Sequence, residues 1–136
     1  MKQIFVDTWY LIAITLKGDV SHKKATTIAS RLGSTCLVTS EGVLTEYLNF
    51  FSARGKDIRK AAISTVNILR ACGKLEVIHQ DHAYFEKSLN LFKNREDKDY
   101  SLTDCFSMVI MKEMGISEVL TNDDGFKQEG YIKIYE

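Results

Sequence analysis

The chain of 136 residues has no proline, only three cysteines, no net charge and no long apolar run. The lack of proline is unusual and has no functional counterpart; helix ends are marked instead by glycine and small polar residues. Cys36, Cys72 and Cys105 are odd in number and far apart. That excludes a disulfide framework and a spaced zinc site and predicts reduced, buried thiols in a cytoplasmic protein. Basic and acidic residues number 18 each, so nucleic-acid binding through a globally basic surface is excluded and would have to rest on local charge. No stretch reaches the ~18 apolar residues of a membrane span, and Lys2-Gln3-Ile4-Phe5-Val6 opens without a signal-peptide core. What is present is 45% hydrophobic content, which fits one globular domain over residues 1–136.

Strand and helix patterns alternate. Ile4-Phe5-Val6 is a short apolar run, as expected of a strand covered on both faces, and Asp7 ends it. Helices are predicted from Thr8 to about Lys17, from a Ser21 cap to Leu32, from about Ser40 to Ala53, and from about Asp57 to Ala71. A further helix, capped by Asp81, has Tyr84, Phe85, Leu89 and Phe92 as its apolar face, and another spans about Leu102 to Met114. Strands are predicted at Cys36–Val38, Leu75–Ile78, Glu118–Leu120 and Ile132–Ile134, with a turn at Asp124-Gly125. The class is α/β with a mainly parallel sheet.

Four carboxylates stand out. Asp7 and Asp123 follow strand ends, where ligand sites of open parallel sheets gather. Asp104 opens a helix that is apolar almost all round, and Glu46 lies at the edge of an apolar helix face, where a carboxylate needs a partner. Each has a plainer reading: a helix cap for Asp7, a solvated helical Glu for Glu46, a capping box with Ser101 for Asp104, and a turn with Asp124-Gly125 for Asp123. Taken together they place three acids on one rim of a sheet. Oxygen-only ligands of this kind suit Mg²⁺ or Mn²⁺, not zinc.

The segments Phe5-Val6-Asp7-Thr8, Leu44-Thr45-Glu46-Tyr47-Leu48, Tyr100-Ser101-Leu102-Thr103-Asp104-Cys105 and Thr121-Asn122-Asp123-Asp124-Gly125-Phe126 come in an order that resembles the PIN domain family, in particular the small toxin ribonucleases of the VapC type. The last segment reads as Thr-x-Asp-x-x-Phe and selects Asp123 over Asp124. The resemblance implies a three-layer α/β/α sandwich, with Asp7, Glu46, Asp104 and Asp123 holding one or two Mg²⁺ (or Mn²⁺) to hydrolyse single-stranded RNA. It implies that Thr8 and Thr121 orient ligands or water beside the metal, that Asp99 adds charge nearby, and that a cognate antitoxin and a second copy of the chain are partners. Where many toxin members carry basic or His residues before the Phe, this chain has Asp124-Gly125. The alternative is a non-toxin or inactive PIN-like domain that binds RNA or protein.

Lys23, Lys24 and Arg31 on one helix, and Arg54, Lys56, Arg59 and Lys60 around a helix junction, are the local basic groups available to a phosphate backbone. His79 and His82 have no third ligand at a familiar spacing and read as structural. No Ser/His/Asp or Cys/His set suggests a side-chain nucleophile. A phospho-acceptor domain would need an acid beside Asp7, where Thr8 stands, and an aspartate phosphatase would need one at Trp9.

Overall fold

The computed structural model describes residues 2–134. Among these, five strands form one sheet: β1 (Gln3–Val6), β2 (Cys36–Ser40), β3 (Leu75–Ile78), β4 (Glu118–Leu120) and β5 (Ile132–Ile134). All neighbours pair in parallel, in the order β3-β2-β1-β4-β5, with Phe5 opposite Val38 on one side and Val119 on the other. The helices are α1 (Thr8–Thr15), α2 (His22–Leu32), α3 (Glu41–Phe50), α4 (Lys56–Ala71), α5 (His82–Asn94), α6 (Leu102–Met114) and α7 (Asp124–Gln128).

From β1 the chain steps outward to β2 and β3, then returns across the sheet to β4 and continues to β5. Parallel crossovers are right-handed, so this reversal sends the connections before and after β3 to opposite faces. It also makes the gap between the carboxyl ends of β1 and β4 the topological switch point, where the connecting segments diverge and leave a crevice.

Ile4, Phe5 and Val6 of β1 and Val119 and Leu120 of β4 are buried, which explains why these strands read as unbroken apolar runs. Helix α6 buries Cys105, Phe106, Ser107, Met108, Ile110 and Met111 and is the central helix of the core. A Cβ at Gly42 would stand 3.0 Å from a Phe106 ring carbon, so the missing side chain lets α3 close on α6. That approach sets Glu46 and Asp104, carried by these two helices, on a common framework.

Several expectations are revised. Helix α3 ends at Phe50, before Ala53, because Arg54 turns back and its Nε donates to the Phe50 carbonyl at 3.0 Å. Ser21 occupies the cap position of α2 without a capping side-chain bond; its own amide is instead held by Asp19 Oδ1 at 2.7 Å. The expected turn at Asp124-Gly125 is the start of α7. On α5, Tyr84, Ser88 and Leu91 face the protein, while Phe85, Leu89 and Phe92 are exposed. No disulfide joins the cysteines among the described residues, but only Cys105 is buried; Cys36 is half-buried and Cys72 exposed. No helix among the described residues is long and apolar enough to cross a membrane.

Candidate functional site

Asp7 continues β1 by one residue, its amide donating to the Leu120 carbonyl of β4 at 3.1 Å. The pairing that aligns the two strands thus carries Asp7 to the switch point. At 6% exposure it is the only carboxylate, lysine, arginine or histidine buried among the described residues. Its Oδ2 accepts a 2.6 Å hydrogen bond from Thr121 Oγ1, just past the end of β4. The same hydroxyl accepts from the Asp123 amide at 3.0 Å, so one buried threonine ties two of the acids together.

The other acids are anchored in similar ways. Asp123 caps α7, with Oδ1 accepting from the Gly125 amide at 2.8 Å. Asp104 forms a reciprocal capping box: Ser101 Oγ accepts from its amide, and its Oδ2 accepts from the Ser101 amide, both at 3.0 Å. Glu46 Oε1 accepts from Thr8 Oγ1 at 2.5 Å. These bonds each use one oxygen and leave the second oxygen of Glu46, Asp104 and Asp123 outside them. For Asp104 and Asp123 the capping role and the site reading therefore coexist, because a carboxylate has lone pairs for both. Asp7 instead heads α1 without a side-chain cap bond, and Glu46 is tied to Thr8 rather than solvated.

The acids feel one another. Burial pushes the Asp7 carboxyl up to about 7, opposed by its bonds to Thr121 and the Thr8 amide and reinforced by the charges of Asp104 and Glu46. Burial likewise raises Asp104 to about 6, with the Ser101 amide opposing and Asp123 and Glu46 adding repulsion. None of the ion pairs found among the described residues involves any of the four. Asp124, by contrast, is exposed and held 2.6 Å from Lys133 Nζ, which lowers its carboxyl below the usual range.

Carboxylates gathered without a cationic side chain must either hold protons or take up a cation. The donor set fits one, being oxygen throughout. Among the described residues no three His, Cys, Asp or Glu side chains are close enough to enclose an ion by themselves. Mg²⁺ keeps several waters and needs only one or two direct carboxylates, so a site for it need not be enclosed by three side chains. A hollow of about 570 Å³ lined by residues such as Lys87, Arg95, Lys112 and Glu129 contains none of the four acids.

Of the residues singled out in the sequence, Thr8 and Thr121 lie against Glu46 and Asp7. Asp99 is exposed in the segment leading into α6, and no hydrogen bond ties it to the others among the described residues. His79 is exposed and pairs with Glu41 at 3.2 Å. The sequence reading missed the contact of Arg95 with Glu129, 34 residues apart, for which no local pattern exists.

Replacing Thr121 by Val keeps the shape and removes the hydroxyl. The expected result is a ~10–100-fold weaker affinity for divalent metal. Stability should fall by ~1–3 kcal/mol, since the Asp123 amide loses its acceptor. Metal titration and thermal melting of the variant check both.

A five-stranded parallel α/β sheet with acids gathered at its switch point is the class of fold and site that this chain presents. The family model described as PIN domain matches residues 4–129, and the chain belongs to that family. It is 26% identical over 132 residues, covering 96% of this chain and 97% of the relative, to proteins named 23S rRNA-specific endonuclease VapC20 in two strains of Mycobacterium tuberculosis. The crystal structure of Mycobacterium tuberculosis VapC20, described as a sarcin-ricin loop cleaving toxin, superposes with a TM-score of 0.87 at 23% identity, over 98% of this chain and 99% of that one. VapBC2 from Rickettsia felis, bound to a DNA fragment from its promoter, gives 0.65 at 15% identity, with 97% of each chain covered. FitAcB from Neisseria gonorrhoeae gives 0.63 at 14%, covering 98% of this chain and 96% of that one. At these identities the structures establish a shared fold.

Proposed function

We propose that the chain is a metal-dependent endoribonuclease that hydrolyses single-stranded RNA and serves as the toxin of a type II toxin–antitoxin pair. The observation that carries this reading is the set of four carboxylates gathered around the β1–β4 switch point, which none of the ion pairs among the described residues balances. Membership of the PIN family and the likeness to a named rRNA endonuclease support RNA as the substrate class.

Asp7, Asp104 and Asp123, with Glu46, would hold one or two Mg²⁺ or Mn²⁺, which supply an activated water and charge stabilisation on the phosphate. The protein's own contribution is orientation. Thr121 fixes Asp7 and the Asp123 backbone in one frame, Ser101 fixes Asp104 at the start of α6, and Thr8 holds Glu46. With water as nucleophile, the RNA 2′-hydroxyl has no role, and a 5′-phosphate product is expected.

Lys23, Lys24 and Arg31, which line one shallow surface of α2, are candidates for backbone contacts, and cleavage at sub-saturating RNA should then fall steeply with salt. The exposed Phe85, Leu89 and Phe92 of α5 and Ile58, Ile63 and Ile68 of α4 offer apolar surface for a cognate antitoxin and a second copy of the chain.

The test is induced expression in a bacterial host with the cleaved RNA sequenced, beside purified-protein assays with and without EDTA. Growth arrest and EDTA-sensitive cleavage that disappear in Asp104→Asn support the reading. Normal cleavage by that variant, or cleavage in EDTA, would overturn it.

A further inference from the structure

Helix α7 is too short to be stable by its own hydrogen bonds, yet its cap residue is Asp123. The segment entering α6 is likewise irregular, yet it delivers Asp104. One polar cluster outside the four acids joins these two weak places. Glu129, the residue after α7, accepts from Arg95 Nε and Nη2, both at 3.0 Å, in a two-pronged ion pair. Its Oε1 also accepts from Tyr100 Oη at 3.1 Å. Tyr100 is 6% exposed and immediately precedes the Ser101 cap of α6.

The contact continues into the site. A Cβ at Gly125 would lie 3.1 Å from two carbons of the Tyr100 ring and 3.2 Å from Asp123 Oδ1, so the ring packs on the turn that holds Asp123. The Glu129 amide donates to the Gly125 carbonyl at 3.1 Å, and the Gly125 amide donates to Asp123 Oδ1. The circuit is therefore closed: Arg95 at the end of α5, Glu129 after α7, Tyr100 before α6, and Gly125 beneath the ring.

We propose that Arg95, Glu129 and Tyr100 form a brace whose task is to position Asp104 and Asp123 relative to each other for divalent metal. This rests on the metal-dependent reading of the acid site. The brace does not touch substrate, so its members are positioning residues and not catalytic ones. It keeps one form across the neutral range: burial and the bond to Glu129 push the Tyr100 hydroxyl up to about 12, and Arg95 holds Glu129 below the usual carboxylate range.

Tyr100→Phe and Glu129→Gln test the brace with little change of shape. Both are expected to bind Mn²⁺ ~10-fold more weakly by calorimetry. In both, kcat should fall by a similar factor while KM for RNA stays within about twofold, because the phosphate-binding surface is untouched. A merely structural role would lower the melting temperature and leave the Mn²⁺ affinity of the folded protein unchanged. Carboxyl ¹³C shifts of Asp104 and Asp123, recorded without metal, report the brace independently of activity and should move in both variants. Unchanged shifts together with unchanged Mn²⁺ affinity would overturn the brace. Shifts that move in a protein whose wild type neither binds Mn²⁺ nor cuts RNA would uphold the positioning of the two acids while overturning its metal-holding purpose and the nuclease reading.

Discussion

At pH 8 the Asp7→Asn variant is expected to melt higher than the native protein when divalent metal is absent, and to cleave no RNA when Mg²⁺ is supplied. Asn keeps the shape and still accepts the Thr121 hydroxyl bond, so the frame between β1 and β4 is retained. What it removes is a buried charge that repels Asp104 and Glu46. Losing a metal-holding oxygen anion should cost several kcal/mol of transition-state stabilisation, or ~10³-fold or more in kcat. The two effects have one cause: a group held in an unfavourable state for function opposes the stability of the protein without its ligand. Differential scanning calorimetry at pH 8 and a cleavage assay check the pair. A melting temperature lower than native, with cleavage retained, would show that Asp7 serves the fold alone.

The second large effect is a stability profile that runs opposite to acid denaturation. The Asp7 carboxyl is raised from 3.8 to about 7 in the folded protein. A raised acid binds more protons folded than unfolded between these values. Its stabilising contribution is complete below the unfolded value and disappears as pH climbs through the folded one. Between pH 5 and pH 8 the metal-free protein should therefore lose roughly 2–3 kcal/mol, or ~10 °C in Tm. Asp104, raised to about 6, acts in the same direction. Glu41, Asp124 and Glu129 are lowered, so their contributions are lost only as pH falls through the acid range below this window. Mg²⁺ should restore Tm strongly at pH 8 and little at pH 5, since it binds the ionised acids. A Tm that rises steadily from pH 5 to pH 8 without metal would contradict the account.

Much of the architecture was legible because the local signals were complete. Strands β3, β4 and β5 and helix α6 have the predicted bounds, set by apolar runs and by the Ser101–Asp104 capping box. The placing of Asp7 and Asp123 past the ends of β1 and β4 was legible too, since a parallel sheet sends the residues after its strands to the same edge. The preference for Asp123 over Asp124 agrees with their surroundings: the charge of Asp123 acts on Asp104, whereas Asp124 pairs outward with Lys133.

What escaped the sequence depended on contacts between distant segments. The aromatic residues of α5 suggested its buried face, but packing against α6 is made by Tyr84, where the ring meets Phe106 at 5.6 Å, and by the stripe through Ser88 and Leu91. Hydrophobicity marks a surface that is used without saying whether its partner is in the same chain. The Arg95–Glu129–Tyr100 cluster was hidden for a related reason. Arg95 belongs to a strongly charged stretch that reads as solvated, and only the fold brings Glu129 to it.

The central claim about the molecule is that the four acids share a divalent ion. Mg²⁺ titration followed by carboxyl ¹³C resonances tests this directly at pH 8. The predicted result is that Asp7, Glu46, Asp104 and Asp123 shift with a common midpoint while Asp124, paired with Lys133, stays still. Shifts confined to exposed carboxylates, with those four unmoved at millimolar Mg²⁺, would contradict it.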